Sequence, residues 1–200
     1  MEEFFTKVYE NKMWGHDNNN EYNGSSGGGS EIENTIEYIN FLKMFINKND
    51  IKTVVDLGCG SFLNGLLIYD NIDTTYIGYD TYKKIIDYNK KQHSEPKYTF
   101  MHLDFFTNKE DIIGGDLCIL KDVLQHWQMD EIYIFLDYLI ESKKFKYILL
   151  CNCCNQRIDN PDNSGRSIAL SAKFFPLKKY NPIIMNNYYT KEISIIINKL

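Results

Sequence analysis

The sequence predicts an α/β fold: a doubly wound parallel sheet, closed by an antiparallel hairpin. Three observations carry this. Between residues 52 and 152, short apolar runs alternate with helical patterns. A glycine-rich turn, Gly58-Cys59-Gly60, follows the first of those runs. After residue 153 the alternation stops, and two β-rich segments come with no helix between them. Near-continuous apolar strands that alternate with helices pack as a parallel sheet covered on both faces. Right-handed crossovers then wind it in both directions.

Each element has its own signal. Residues 1–30 are polar and aromatic and end in NNNEYNGSSGGGS, which alone reads as a flexible linker. Order begins at Ser30. With Glu33 it reads as a capping box, and EIENTIEYINFLKMFINK carries apolar residues at helical spacing. Apolar runs at 53–57, 74–79, 98–103, 116–120 and 146–151 read as strands. A helix is expected from near Ser61, and the clearest helical patterns lie at 81–92 and 129–142. NQRIDNPDNSGRS reads as a loop. SIALSA and EISIIIN read as two further strands, seven in all, that pair as the closing hairpin. The 200 residues suffice for one domain. Its parts are an N-terminal segment (1–30), an α/β core (31–152), and a loop with closing strands (153–200).

Composition excludes several classes. Lys and Arg number 22 against 27 Asp and Glu, the formal charge is −5, and only Arg157 and Arg166 are arginines. A broad grip on nucleic acid needs clustered cations, so that function is disfavoured. No apolar run approaches the roughly 20 residues of a membrane span, and MEEFFTKVYE lacks the layout of a signal peptide. Five cysteines without framework spacing suit a reducing, cytoplasmic compartment. CNCC (Cys151, Cys153, Cys154) has no second cluster to complete four metal ligands, so it reads as a buried strand end.

In a doubly wound sheet, ligands lie beyond the carboxyl ends of the strands. The first predicted strand ends at Asp56, before Gly58 and Gly60, which let the backbone approach a ligand closely. A dinucleotide fingerprint wants G-x-G-x-x-G. Here Leu63 stands where the third glycine belongs, and Gly65 comes two residues late. The second strand ends at Asp80, suited to two ribose hydroxyls. The third ends at Asp104, placed to meet an adenine amino group, with Phe105 or Phe106 packing on the ring. Three acids at successive strand ends favour an adenosine ligand. The fourth ends in LKDVLQHW, with Lys121 and Asp122 at its tip. If 122–126 forms a helical turn, Asp122 and His126 share a face. A divalent metal on that pair lacks a visible third ligand, so no metal is expected.

VVDLGCG, YIGYD, LDF and DLCILKDVLQHW resemble the ordered motifs of class I S-adenosylmethionine-dependent methyltransferases. MWGHDNNNEYNGSSGGGS, KDVLQHW and GRSIALSAKFFPLKKYNP resemble a small subfamily often encoded among, or fused to, glycan-building enzymes. One departure is that the last segment lacks the aromatic usual beside its arginine. The resemblance implies a Rossmann-like fold and S-adenosylmethionine as cofactor. Gly58 and Gly60 would approach its methionine part, Asp80 its ribose, and Asp104 and Phe105 its adenine. Asp56 would order the turn, and Lys121 would reach the cofactor from the fourth strand.

The same resemblance makes the glycine run at 24–30 a lid over the cofactor. Trp14 and His16 on that lid would contact the acceptor, although Trp14 equally suits a core anchor. Arg166 would hold an anionic group. His126 would act as general base, oriented by Asp122, or serve only in packing. The acceptor implied is a small molecule, a sugar or nucleotide-sugar hydroxyl or amine. The alternatives are an RNA ribose or cap methyltransferase, and an inactive cofactor-binding regulatory module. Methylation of base amines is disfavoured, because Lys121-Asp122-Val123-Leu124 stands where an Asn/Asp-Pro-Pro-aromatic run would be needed.

Overall fold

A computed structural model describes residues 1–16, 21–162 and 166–198. Residues 17–20 of the expected lid, residues 163–165 of the expected loop and residues 199–200 lie outside the described residues. Seven strands form a sheet in the order β3-β2-β1-β4-β5-β7-β6. The chain divides into two compact units, 1–112 and 113–200.

The first unit holds α1 (Glu2–Glu10), α2 (Ile32–Lys48), β1 (Thr53–Leu57), α3 (Gly65–Tyr69), β2 (Thr75–Asp80), α4 (Lys83–Gln92) and β3 (Tyr98–His102). Its three strands are parallel, with Thr53 opposite Thr75 and Tyr76 opposite Tyr98. Val54, Val55 and Leu57 are wholly buried, as a strand covered on both faces requires. Helix α2 buries Tyr38, Ile39, Leu42, Phe45 and Ile46, one stripe at helical spacing.

The second unit holds β4 (Gly115–Lys121), α5 (Met129–Glu141), β5 (Phe145–Cys153), β6 (Ile183–Tyr188) and β7 (Lys191–Ile197). Strands β4 and β5 are parallel, whereas β7 runs antiparallel to both β5 and β6. Helix α5 starts at a true capping box of Gln128 and Glu131 and buries Ile132, Phe135, Leu136 and Leu139. Trp127, only 1% exposed, packs its ring edge-on to Phe135.

Four expectations need correction. The N-terminal segment contains α1, whose Val8 and Tyr9 are buried. The Ser30–Glu33 capping box does not form: α2 is preceded by Glu31 with no side-chain cap, and the Ser30 hydroxyl donates back to the Ser26 carbonyl. Helix α3 begins at Gly65 rather than near Ser61. SIALSA is not a strand, and Ile183–Tyr188 takes its place in the hairpin. The apolar alternation of SIALSA is real, since Ile168 and Leu170 are buried. Its N–H groups, however, go to three different places: the Gln125 carbonyl, the Cys153 carbonyl and the Gln156 side chain. No ladder can form from such scattered partners. Among the described residues, no helix is long and apolar enough to cross a membrane.

Candidate functional site

The glycine turn is built from β1 outward. Gly58 and Cys59 both donate N–H bonds to the Tyr79 carbonyl, at 2.8 and 2.9 Å, folding the turn back onto β2. Gly58 and Gly60 have φ of 89° and 53°, a region glycine enters without penalty. A β-carbon on Gly60 would stand 2.5 Å from Ser26 Oγ. Gly60 N–H donates to Asp80 Oδ2 at 3.0 Å, and its carbonyl accepts from Asn89 Nδ2 at 2.7 Å. The next donor, Ser61 N–H, is bonded to Ser26 Oγ at 3.1 Å, which lies 3.2 Å from the Tyr9 hydroxyl. The segment expected as a lid therefore rests on the glycine turn. Gly65 has a separate cause: a β-carbon there would meet the Phe62 ring at 2.1 Å. The misplaced third glycine seats an aromatic ring.

The strand-end acids have distinct surroundings. Asp80 is 7% exposed and accepts N–H bonds from Gly60 and Tyr82, the latter at 2.9 Å. Burial raises its pKa, opposed by those backbone donors. Asp56 accepts from the Tyr76 hydroxyl at 2.8 Å. Asp104 accepts from the Met1 amino group and Glu2 N–H on one oxygen, and from Phe106 and Thr107 N–H on the other. Burial works against its charge, but those donors hold its pKa below the usual value. A carboxylate has about four lone-pair positions, so an adenine contact would need one of these bonds to give way. Phe105 is buried, while Phe106 beside it is half-buried.

The N-terminal segment is fastened to α4. Tyr9 stacks on Tyr82 with centroids 4.5 Å apart, and Trp14 packs against Phe5 and Tyr9. Trp14 also accepts the Ser25 hydroxyl on its carbonyl, so it anchors the segment. His16 is exposed. Glu10 accepts from Lys84, Asn23 and Tyr82, which together bring its pKa down from 4.5 to about 2. A depressed carboxyl pKa gives stability that is full above 4.5 and lost as pH falls towards 2. Trp14 fluorescence should report release of the segment in that window. A Glu10→Gln variant should lack that component of the acid transition, and an identical transition in the variant would refute the clasp.

In the second unit, Asp122 sits at φ 59° just past β4, outside the single 3₁₀ turn Leu124–His126. The shared helical face expected for Asp122 and His126 therefore does not form. Asp122 instead receives Lys121 Nζ at 2.7 Å on one oxygen and Lys191 Nζ on the other. Lys191, 6% exposed at its side chain, also lies 3.2 Å from Cys153 Sγ. Burial opposes the Asp122 charge, yet the two ammonium groups hold its pKa below the usual range.

His126 Nδ1 lies 3.2 Å from the Arg166 carbonyl, an acceptor only, so Nδ1 carries the proton. Its Nε2 faces Gln125 Nε2 at 3.3 Å, and Gln125 Oε1 in turn accepts Cys153 N–H. Burial lowers the His126 pKa, against the Arg166 carbonyl and Asp122, so the ring is neutral at neutral pH. The Arg166 guanidinium forms a fork with Glu131, at 2.7 and 2.8 Å; a substrate anion would have to compete with that carboxylate. Cys151 is buried at the end of β5, beside Tyr188.

Sequence reasoning missed Lys191, Asn89 and Glu10. Lys191 heads the last strand, and no local pattern ties it to a residue 69 positions earlier. The EFFTKVYE stretch did carry a signal: Phe4, Phe5, Val8 and Tyr9 repeat at helical spacing.

No family model matches the chain, and no curated protein matches it. Solved structures do. Magnesium protoporphyrin IX methyltransferase from Synechocystis, with bound SAH, aligns with a TM-score of 0.61 at 16% identity, covering 82% of this chain and 83% of that one. The methyltransferase domain of bacterial CtHen1 aligns at 0.61 and 14%, covering 82% and 97%. The N-terminal domain of EvdMO1, solved in the presence of SAH and D-fucose, aligns at 0.59 and 11%, covering 88% and 86%. These likenesses establish the Rossmann-like fold, seven strands with a C-terminal antiparallel hairpin.

Proposed function

We propose that the chain is an S-adenosylmethionine-dependent methyltransferase acting on a small-molecule acceptor, a sugar or nucleotide-sugar hydroxyl or amine. The observation that carries the reading is the glycine turn of Gly58 and Gly60, fixed on Asp80 at the ends of β1 and β2. The residues present suit this cofactor. Both glycines turn at positive φ, and Asp80, held by the backbone N–H groups of Tyr82, Gly60 and Thr81, has about four lone-pair positions, which leaves room for a ribose hydroxyl. Asp56 and Tyr76 brace the turn's entry. Methyltransferase neighbours of the same fold support the activity, and the EvdMO1 neighbour, solved with D-fucose, supports the sugar class.

S-adenosylmethionine, when bound, would supply a methyl group on a sulfonium whose leaving group is a neutral thioether. The chain's part is alignment and proton removal. His126 is the base: Nδ1–H is fixed on the Arg166 carbonyl, and the Nε2 lone pair takes the proton after leaving the long Gln125 contact. Its lowered pKa keeps that lone pair open below the ordinary imidazole range, so turnover should persist on mildly acidic media. Lys121 and Lys191 hold Asp122 in place beside the end of β4.

Calorimetric titration with SAH tests the cofactor, and a screen of nucleotide-sugars with a labelled methyl donor tests the acceptor. Absence of SAH binding would sink the cofactor reading. On an acceptor so found, His126→Ala should lower kcat by about 10²–10⁴-fold while SAH affinity is kept. Unchanged kcat would remove His126 as base, and lost SAH binding would assign it to the cofactor instead.

A further inference from the structure

Asn89 lies on α4 with 0% of its surface exposed. Its Nδ2 donates to the Gly60 carbonyl at 2.7 Å, one of the shorter bonds in the first unit. Its Oδ1 is buried with no hydrogen-bond donor. An amide that makes one bond and strands its other polar atom adds little net stability, because the cost of the buried Oδ1 offsets the bond to the Gly60 carbonyl. What the amide does supply is direction. The Gly60 carbonyl and the Ser61 N–H belong to one planar trans peptide, so they point opposite ways. Pulling the carbonyl towards α4 aims the Ser61 N–H away from α4. On that side Ser26 Oγ now accepts it at 3.1 Å. Asp80 fixes the preceding peptide through Gly60 N–H, so the two residues together leave the turn little freedom.

We infer that Asn89 is a positioning residue that orients the Gly60–Ser61 peptide, and thereby the Ser61 N–H, which the carboxylate of a bound cofactor's methionine part would take over from Ser26 Oγ. The identity of that ligand rests on the cofactor reading above; the orientation of the peptide does not.

The test pairs Asn89→Leu with Thr35→Val. Thr35 is equally buried, but its hydroxyl bonds only to carbonyls at the start of α2, those of Glu31 and Ile32. Amide exchange by NMR, SAH affinity by calorimetry and Tm are read for each. Asn89→Leu should speed Ser61 exchange at least tenfold and weaken SAH at least tenfold, with little change in Tm, since removal of the stranded Oδ1 offsets loss of the bond to the Gly60 carbonyl. Thr35→Val should leave Ser61 exchange and SAH affinity as they are. Unchanged Ser61 exchange in Asn89→Leu overturns the inference, as does a matching loss in Thr35→Val. Should Asn89→Leu fail to fold, Asn89→Ala is read by the same criteria. If the wild type takes up no SAH, the cofactor reading fails while Ser61 exchange still decides the role of Asn89.

Discussion

Asp80→Ala should weaken SAH binding by at least about 100-fold, roughly 2.7 kcal/mol, and lower stability as well. Two separate losses are involved. The carboxylate accepts N–H bonds from Gly60 and Tyr82 in a buried setting, and each stranded donor costs about 1–3 kcal/mol. The ribose hydroxyls of the proposed cofactor would then lose their acceptor too. Asp80→Asn separates the two in part: Gly60 and Tyr82 donate to different oxygens, so the amide keeps one of the two bonds in nearly the same shape. If Asn restores part of the Tm but none of the SAH affinity, the carboxylate meets the ligand directly. If the two recover together, Asp80 acts only by shaping the turn. Full SAH affinity in the alanine variant would remove Asp80 from the site.

Asp122→Ala should destabilise the protein by about 3–5 kcal/mol, the usual consequence of removing one partner from a buried ion pair. For a chain of this length that lowers Tm by roughly 10 °C. Lys121 and Lys191, both largely buried at their side chains, would lose the carboxylate that lies between them. Part of the effect would come from the backbone, since Asp122 is at φ 59°, where Asp and Asn fit better than Ala. Asp122→Asn keeps the backbone preference and removes the charge. A wild-type Tm in Asp122→Asn would show that the charge cluster contributes nothing to the fold.

Periodicity made most of the architecture readable. Five apolar runs became β1 to β5 within a few residues, because strands buried on both faces leave an unbroken apolar signature. EISIIIN likewise became β7. β6 was not recognised because IIMNNY is mostly exposed or half-buried at the edge, and its apolar residues come as a short run interrupted by Asn186 and Asn187 with no alternation to mark a strand. The strand-end acids were legible because the fold places ligands there whatever their chemistry. Their partners were not: Asp104 is met by the Met1 amino group and Asp122 by Lys191, pairs separated by 103 and 69 positions. Gly65 was counted against the dinucleotide fingerprint, when its neighbour Phe62 was the reason for it. Single residues such as Asn89 act through one bond to a backbone carbonyl, which no residue pattern announces.

Lys191 faces Cys153 because β7 pairs with β5 in one particular register, and β6 meets β7 across an irregularity between Ile184 and Asn186. Side chains alternate faces along a strand, so a slip of one residue turns every one of them over. The Asp122 cluster is thus encoded in chain length as much as in residue type. A single-residue deletion inside Lys191–Ile197 would carry the ammonium to the opposite face even with every site residue still present. An insertion in the exposed turn at Tyr189 can be absorbed as a longer loop. Indels in this hairpin would separate residue identity from residue placement, which point substitutions leave entangled.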